Sequence, residues 1–195
     1  MPEESGYFAA DAEHQEELTR RQIGEAELDP KTIRHMTSIG VAEGWRCMDV
    51  GAGAGSIVRW LSNRVGPTGH VVAADMDTRF LDGLDGGNLE VRRLDITQDE
   101  PEADTYDLIH ARALLMHLDD PAEVVRRMAR ALAPGGWLLV EDPISGAVPR
   151  LTARIHSQPD LRSYSEPDPS APRRRNHRSA PRWITADTIS RRWSR

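Results

Sequence analysis

The run Gly-Ala-Gly-Ala-Gly at positions 51–55 follows the apolar stretch WRCMDV (45–50) and precedes Ile57, Val58, Trp60, Leu61 and Val65 at helical spacing. Glycine between a strand and a helix lets the backbone approach a ligand closely and adopt conformations that a side chain forbids. The N–H groups at the start of such a helix favour a carboxylate or phosphate. Gly51, Ala52, Gly53 and Gly55 are therefore candidate ligand contacts. Asp75 closes a second apolar stretch, HVVAAD (70–75). It lies roughly 20 residues beyond the loop, where a carboxylate can accept both hydroxyls of a ribose. Asp95 closes NLEVRRLDI (88–96) beside Ile96. A carboxylate next to an apolar wall suits adenine, accepting from the exocyclic amine while the ring packs on Ile96 and Met76. Each feature alone also reads as a turn or a helix cap. Three of them in register at one sheet edge point to a nucleoside-bearing ligand.

These residues need elements that bring them together. The stretches 45–50, 70–75, 88–96, 106–115 and 137–142 have strand character, and helical periodicity separates them. Asp120, Pro121 and Glu123 mark a helix start, and Val124, Val125, Met128 and Leu132 give that helix an apolar face ended by Pro134-Gly135-Gly136. Parallel strands need crossover connections, so the alternation predicts a doubly wound, mostly parallel, Rossmann-like α/β sheet with flanking helices. Such sheets bind ligands beyond the carboxyl ends of their strands. Ahead of this core, residues 1–44 read as two helical stretches, the second opened by Pro30 with Asp29 as its N-cap. The core spans 45–148.

In combination, MDVGAGAGSIVRWL (48–61), VVAADMD (71–77), RRLDI (92–96), YDLIHARALLMHLDDP (106–121) and LAPGGWLLVED (132–142) resemble the class I S-adenosylmethionine-dependent methyltransferases. The likeness is strongest to the small-molecule enzymes of the menaquinone/ubiquinone and natural-product groups. It implies that Asp49 and the glycine loop surround the methionine portion of S-adenosylmethionine, that Asp75 holds the ribose and Asp95 the adenine amine, and that Met76 and Ile96 flank the adenine. It places His110–Arg112 on the methyl-transfer side and makes the N-terminal helices a lid, with Tyr7, Phe8, His14, Gln15 and Arg21 as candidates for contact. A nicotinamide-dependent dehydrogenase is the competing reading. Its G-x-G-x-x-G/A fingerprint fails because the sixth position from Gly51 is Ser56.

The expected function is methyl transfer to a small-molecule acceptor by in-line displacement, driven by proximity and orientation. His110 and His117 are the candidate bases for a hydroxyl acceptor. His117 also reads as a structural hydrogen-bonding residue, and Arg112 either holds an anionic substrate group or pairs with a local acid.

The chain has 195 residues, 38% of them apolar, and a net charge of −6. That length predicts one domain with an appendage. Residues 1–149 hold 14 basic and 27 acidic residues, whereas 150–195 hold 11 and 4. So acidic a body repels a phosphate backbone, and no nucleic-acid partner is expected. A single cysteine, Cys47, excludes an internal disulfide framework and a multi-cysteine metal site. No apolar run approaches the ~20 residues of a membrane span, no secretory signal is visible, and a cytoplasmic location is expected. Residues 149–195 are rich in Arg, Pro and Ser and read as an irregular tail, with one short helix near 185–193. In the resembling family an antiparallel strand pair normally completes the sheet; here it reads as missing or replaced, as in a frameshifted or truncated remnant. An unfinished sheet edge leaves room for a homodimer. It also opens an alternative, a catalytically inactive S-adenosylmethionine-binding domain with an interaction role.

Overall fold

The computed structural model describes residues 3–142 and 150–154, with side chains for 13–142. In chain order the elements are α1 (Glu3–Ile39), β1 (Arg46–Val50), α2 (Ser56–Val65), β2 (His70–Asp75), a 3-10 turn (Thr78–Leu81), β3 (Leu89–Arg93), β4 (Tyr106–Arg112), a second 3-10 turn (Leu115–His117), α3 (Pro121–Ala131), β5 (Leu132–Glu141) and β6 (Arg150–Arg154). The sheet order is β3-β2-β1-β4-β5-β6. The first five strands are parallel, and β6 runs antiparallel to β5. From β1 the chain winds outward through β2 and β3, then returns to start β4 on the other side. The crevice beyond β1 and β4 is thus the point where strand order reverses.

Strand alternation divides the core in two. Met48, Val50, Val72, Ala74, Ile109, Ala111, Leu138 and Val140 pack on the α3 side with Val124, Val125 and Met128. Cys47, Val71, Ala73, Leu108 and Leu139 face Ile57, Val58, Leu61 and Met36 on the side of α1 and α2. Both faces are covered, which is why the strands read as nearly continuous apolar runs. Cys47 is buried, and burial raises its thiol pKa.

Three expectations need correction. The N-terminal region is one helix of 37 residues with Pro30 inside it, so Asp29 is not an N-cap. Proline removes one backbone hydrogen bond, and side-chain anchors on both sides of it hold the helix to the sheet. The PGG run lies within β5 rather than ending α3. There the register shifts between Tyr106 and Leu108, and a Cβ at Gly136 would sit 2.7 Å from the Tyr106 carbonyl oxygen. Finally, Arg150–Arg154 form a strand where an irregular tail and an open edge were expected, and this strand covers the β5 edge. The helix expected near 185–193 falls outside the described residues. By contrast, α3 starts where its cap residues predict, with Asp120 accepting from the Glu123 N–H.

The anchors of α1 converge on the carboxyl ends of β1, β4 and β5. Asp49 and His110 are register partners, and His110 Nδ1 lies 2.6 Å from Asp49 Oδ1. Its Nε2 lies 3.6 Å from Glu141 Oε2. From α1, the Thr32 hydroxyl donates to Glu141 Oε2 at 2.5 Å, and His35 Nδ1 lies 2.7 Å from Glu141 Oε1. Arg112 donates to Asp29 Oδ1 at 2.9 Å and to Thr32 Oγ1 at 3.1 Å. Burial alone disfavours charge on His110, and the Asp49 and Glu141 carboxylates overcome it and raise its pKa. Burial likewise works to raise the Glu141 pKa; the nearby His110 imidazole and the hydrogen bonds of Thr32 and His35 outweigh it and bring that carboxyl down to about 2.

Glu141 therefore stabilises the fold above the ordinary carboxylate range, and that stabilisation is lost as pH falls from about 4.5 toward 2. Glu141→Gln leaves His110 without its second anion and costs about 3–5 kcal/mol. Urea unfolding checks this, with the variant expected to show a shallower acid limb than the wild type, the other lowered carboxylates such as Glu102 keeping their share. A variant as stable as wild type, with the same slope, would contradict the network's role.

Candidate functional site

The chain turns at Gly51 with φ +74° and at Gly53 with φ +62°, the left-handed region that glycine enters freely. A Cβ at Gly51 would lie 3.3 Å from Leu114 Cδ1, and one at Gly53 would lie 2.8 Å from Glu25 Oε1. The loop therefore passes closely under both α1 and the segment after β4. It forms one wall of a cavity of about 460 Å³ at the carboxyl edge of the sheet, within the range of small-molecule and cofactor sites.

Of the residues expected from sequence to contact a ligand, Asp49, Gly51, Ala52, Gly53, Asp75, Met76, Asp95, Ile96 and His110 all line this cavity, as do Arg112 and His117. Gly55 does not. Its φ of +79° calls for glycine, and a Cβ there would also crowd Leu84 Cδ1 at 2.7 Å and Leu81 Cδ2 at 3.3 Å, so backbone conformation and packing account for this glycine without a ligand.

The two acids beyond β2 and β3 are fixed differently. Asp75 Oδ2 accepts from the Gly53 N–H at 3.1 Å and Oδ1 from the Asp77 N–H at 3.0 Å. This ties the glycine loop to the end of β2. Asp95 Oδ1 accepts from the Thr97 hydroxyl and N–H, and Oδ2 from Gln98 Nε2. The Thr97 hydroxyl, then its N–H, hold the Asp95 carboxyl below the usual range. Ile96 is buried, whereas Met76 is 62% exposed at the cavity.

Three residues had been given roles on the transfer side. The His110 ring is buried, and both nitrogens face carboxylates. It supports the floor rather than presenting a free base. Arg112 is spent on Asp29 and Thr32 of α1, which answers the open choice in favour of a local acid. His117 sits in the 3-10 turn after β4. Among the described residues no hydrogen bond or ion pair holds its ring. That turn is itself held by Asp142, whose Oδ2 accepts from the Leu115 N–H at 3.2 Å.

Sequence reading assigns the N-terminal region a lid role and names Arg21, but not the other α1 residues at the cavity. Glu25, Leu28, Arg20 and Arg21 line the cavity, and Asp29, Thr32 and His35 anchor the helix beside it. Glu25, Asp29 and Thr32 follow one another at spacings of four and three, a polar stripe on one helix face. That stripe was the available signal. Of the lid candidates, Arg21 lines the cavity and His14 stacks on Phe80 with ring centroids 4.8 Å apart. The side chains of Tyr7 and Phe8 fall outside the described residues. Among the described residues, no cluster of His, Cys, Asp and Glu could hold a metal ion, and no helix is long and apolar enough to cross a membrane.

Comparison with known proteins agrees with this architecture. A methyltransferase-domain family model matches residues 12–194. The ubiquinone/menaquinone biosynthesis C-methyltransferase UbiE of Pseudomonas savastanoi pv. phaseolicola is 35% identical over 109 residues, covering 52% of this chain and 43% of that protein. Methyltransferase str2 of Strobilurus tenacellus is 31% identical over 110 residues, covering 55% of this chain and 38% of that protein. The chain thus spans about two fifths of the length of these curated relatives. A crystal structure of a SAM-dependent methyltransferase from Aquifex aeolicus superposes with a TM-score of 0.57 at 24% identity, over 69% of this chain and 77% of that one. That likeness is one of fold. With nearly its whole length matched by the family model, the chain belongs to the methyltransferase-domain family.

Proposed function

We propose that this chain binds S-adenosylmethionine in the cavity beside the glycine loop and directs its methyl group to a small-molecule acceptor. The observation that carries this reading is the convergence of Gly51–Gly53, Asp75 and Asp95 on one cavity at the strand-order reversal. The donor set suits the cofactor. Asp75, held by two backbone N–H groups, keeps lone pairs to receive ribose hydroxyls. Ile96 and the exposed Met76 offer apolar surface to an adenine, and Asp95 accepts from its amine. Bound there, the cofactor supplies a methyl group on a sulfonium, already electrophilic.

The protein's share of the work is placement. Holding two reactants in line lowers a barrier by up to about 7–11 kcal/mol in the best-aligned cases. α1 lies across the cavity through Arg20, Arg21, Glu25 and Leu28, so it limits water access and bounds the space left for an acceptor. Leu28, Leu114 and Leu118 make part of that lining apolar. The relatives named for ubiquinone/menaquinone biosynthesis support a small, partly apolar acceptor. For a hydroxyl acceptor, His117 is the cavity histidine that takes the proton, because the His110 nitrogens already face Asp49 and Glu141.

Titration calorimetry with S-adenosylmethionine should show saturable binding to the wild-type chain. Asp75→Ala should weaken it by about 1.5–3 kcal/mol, the range for a hydrogen bond to a charged group; unchanged affinity would remove Asp75 from the site. Methyl release is to be followed across a panel of small hydroxyl, amine and carbon acceptors. On a hydroxyl acceptor, His117→Asn should lower kcat by roughly 10²–10⁴-fold, the usual contribution of a general base, without altering cofactor affinity. Full turnover by that variant would assign the proton to another group.

A further inference from the structure

We propose that Glu25, carried by α1, is a cofactor-binding residue whose carboxylate receives the ammonium of the amino-acid end of S-adenosylmethionine. The proposal rests on the cofactor reading above and extends it to a residue outside the glycine and acid motifs.

Glu25 is a half-buried side chain in the lining of the cavity. Its Oε1 accepts from the Ala54 N–H at 2.7 Å, which brings it to the glycine loop, against the position a Cβ at Gly53 would take. The backbone donors at this end of the loop are thus taken by the protein's own carboxylates. Gly53 N–H goes to Asp75 and Ala54 N–H to Glu25. At Glu25 a ligand ammonium would meet an anion without an ion-pair partner among the described residues, and a carboxylate on the same ligand carbon would turn away from it, because the N–H donors of Gly53 and Ala54 are already taken.

Charge pairing on α1 supports the same assignment. Glu17 is bridged by Arg20 at 2.7 Å and Arg21 at 2.8 Å, and Asp29 by Arg112 at 2.9 Å. Glu25 lies between them, and among the described residues no Lys, Arg or His forms an ion pair with it. Burial raises its pKa and the Asp29 charge one turn away adds to this, outweighing the Ala54 N–H, Ser56 and the more distant Arg112 charge, which act the other way. The arginines that line the same cavity, Arg20, Arg21 and Arg112, are paired with Glu17 and Asp29, and a partly desolvated carboxylate without an ion-pair partner gains most from a ligand that brings a cation. S-adenosylmethionine carries an ammonium at its amino-acid end, the part expected beside the glycine loop.

Calorimetry on the full chain with three probes tests this: S-adenosylmethionine, S-adenosylhomocysteine and 5′-methylthioadenosine, the last lacking the amino-acid end. Glu25→Gln keeps an acceptor for the Ala54 N–H and removes the charge. It should weaken both amino-acid-bearing ligands about tenfold or more while leaving methylthioadenosine within twofold of wild type, and its retained methylthioadenosine binding reports an intact fold. Glu25→Ala should show the same split. Equal weakening of all three probes would make Glu25 structural and overturn the proposal. Tighter binding of S-adenosylmethionine by the Gln variant would make Glu25 a competitor for the site and also overturn it. A wild-type chain that binds none of the three would instead overturn the cofactor reading itself.

Discussion

Everything about the site hangs on an imidazole that has no access to water. His110 stands on β4 at the strand-order reversal, with Asp49 of β1 on one nitrogen and Glu141 of β5 facing the other. In a low-dielectric setting that arrangement is stable only when complete, since removing one partner leaves a buried charge unmatched. It fixes the carboxyl ends of three neighbouring strands relative to one another. Through Thr32 and His35 it also fixes α1 above them. The cavity exists because a helix is held at this height over the sheet edge, and polar contacts hold it there: Pro30 lies within the helix, and the polar anchors flank it.

The same logic shapes the charge of the cavity. Asp49, Asp75, Asp95 and Glu25 line it together with Arg20, Arg21 and Arg112, but the cations are largely committed. Arg112 is bound to Asp29, and Arg20 and Arg21 to Glu17. The acids at the loop meet backbone N–H groups instead, which satisfy hydrogen bonds without cancelling a full charge. A cavity so arranged favours a ligand with positive charge near the glycine loop. That matches a sulfonium nucleoside better than a dinucleotide phosphate, and agrees with the misplaced third glycine of the dehydrogenase fingerprint.

Local features were legible in the sequence and long-range pairings were not. The parallel strands announce themselves because both faces are buried. The start of α3 is written in Asp120, Pro121 and Glu123, adjacent residues acting on one another. The glycine loop and Asp75 are legible because their spacing is fixed by one strand-helix-strand unit. Arg112 and Asp29, in contrast, are 83 residues apart, and His110 and Asp49 are 61 apart. No local pattern states which partner an arginine or histidine will find. Pro30 misled because propensity is a local rule, whereas Thr32, His35 and Asp29 bind the helix to distant strands. Gly55 belongs to the same glycine run and has the same left-handed backbone, with φ +79°, but it stands against Leu81 and Leu84 and not in the cavity lining. β6 escaped notice because RLTAR carries little apolar content and is recruited by the backbone of β5.

The most direct test of this account is a crystal structure of the chain grown with S-adenosylhomocysteine. The account predicts adenosine density between Met76 and Ile96, ribose oxygens within hydrogen-bond distance of Asp75, and the sulfur at the glycine loop facing the His117 side of the cavity. Density for the nucleoside anywhere else, or a ribose turned away from Asp75, would contradict it.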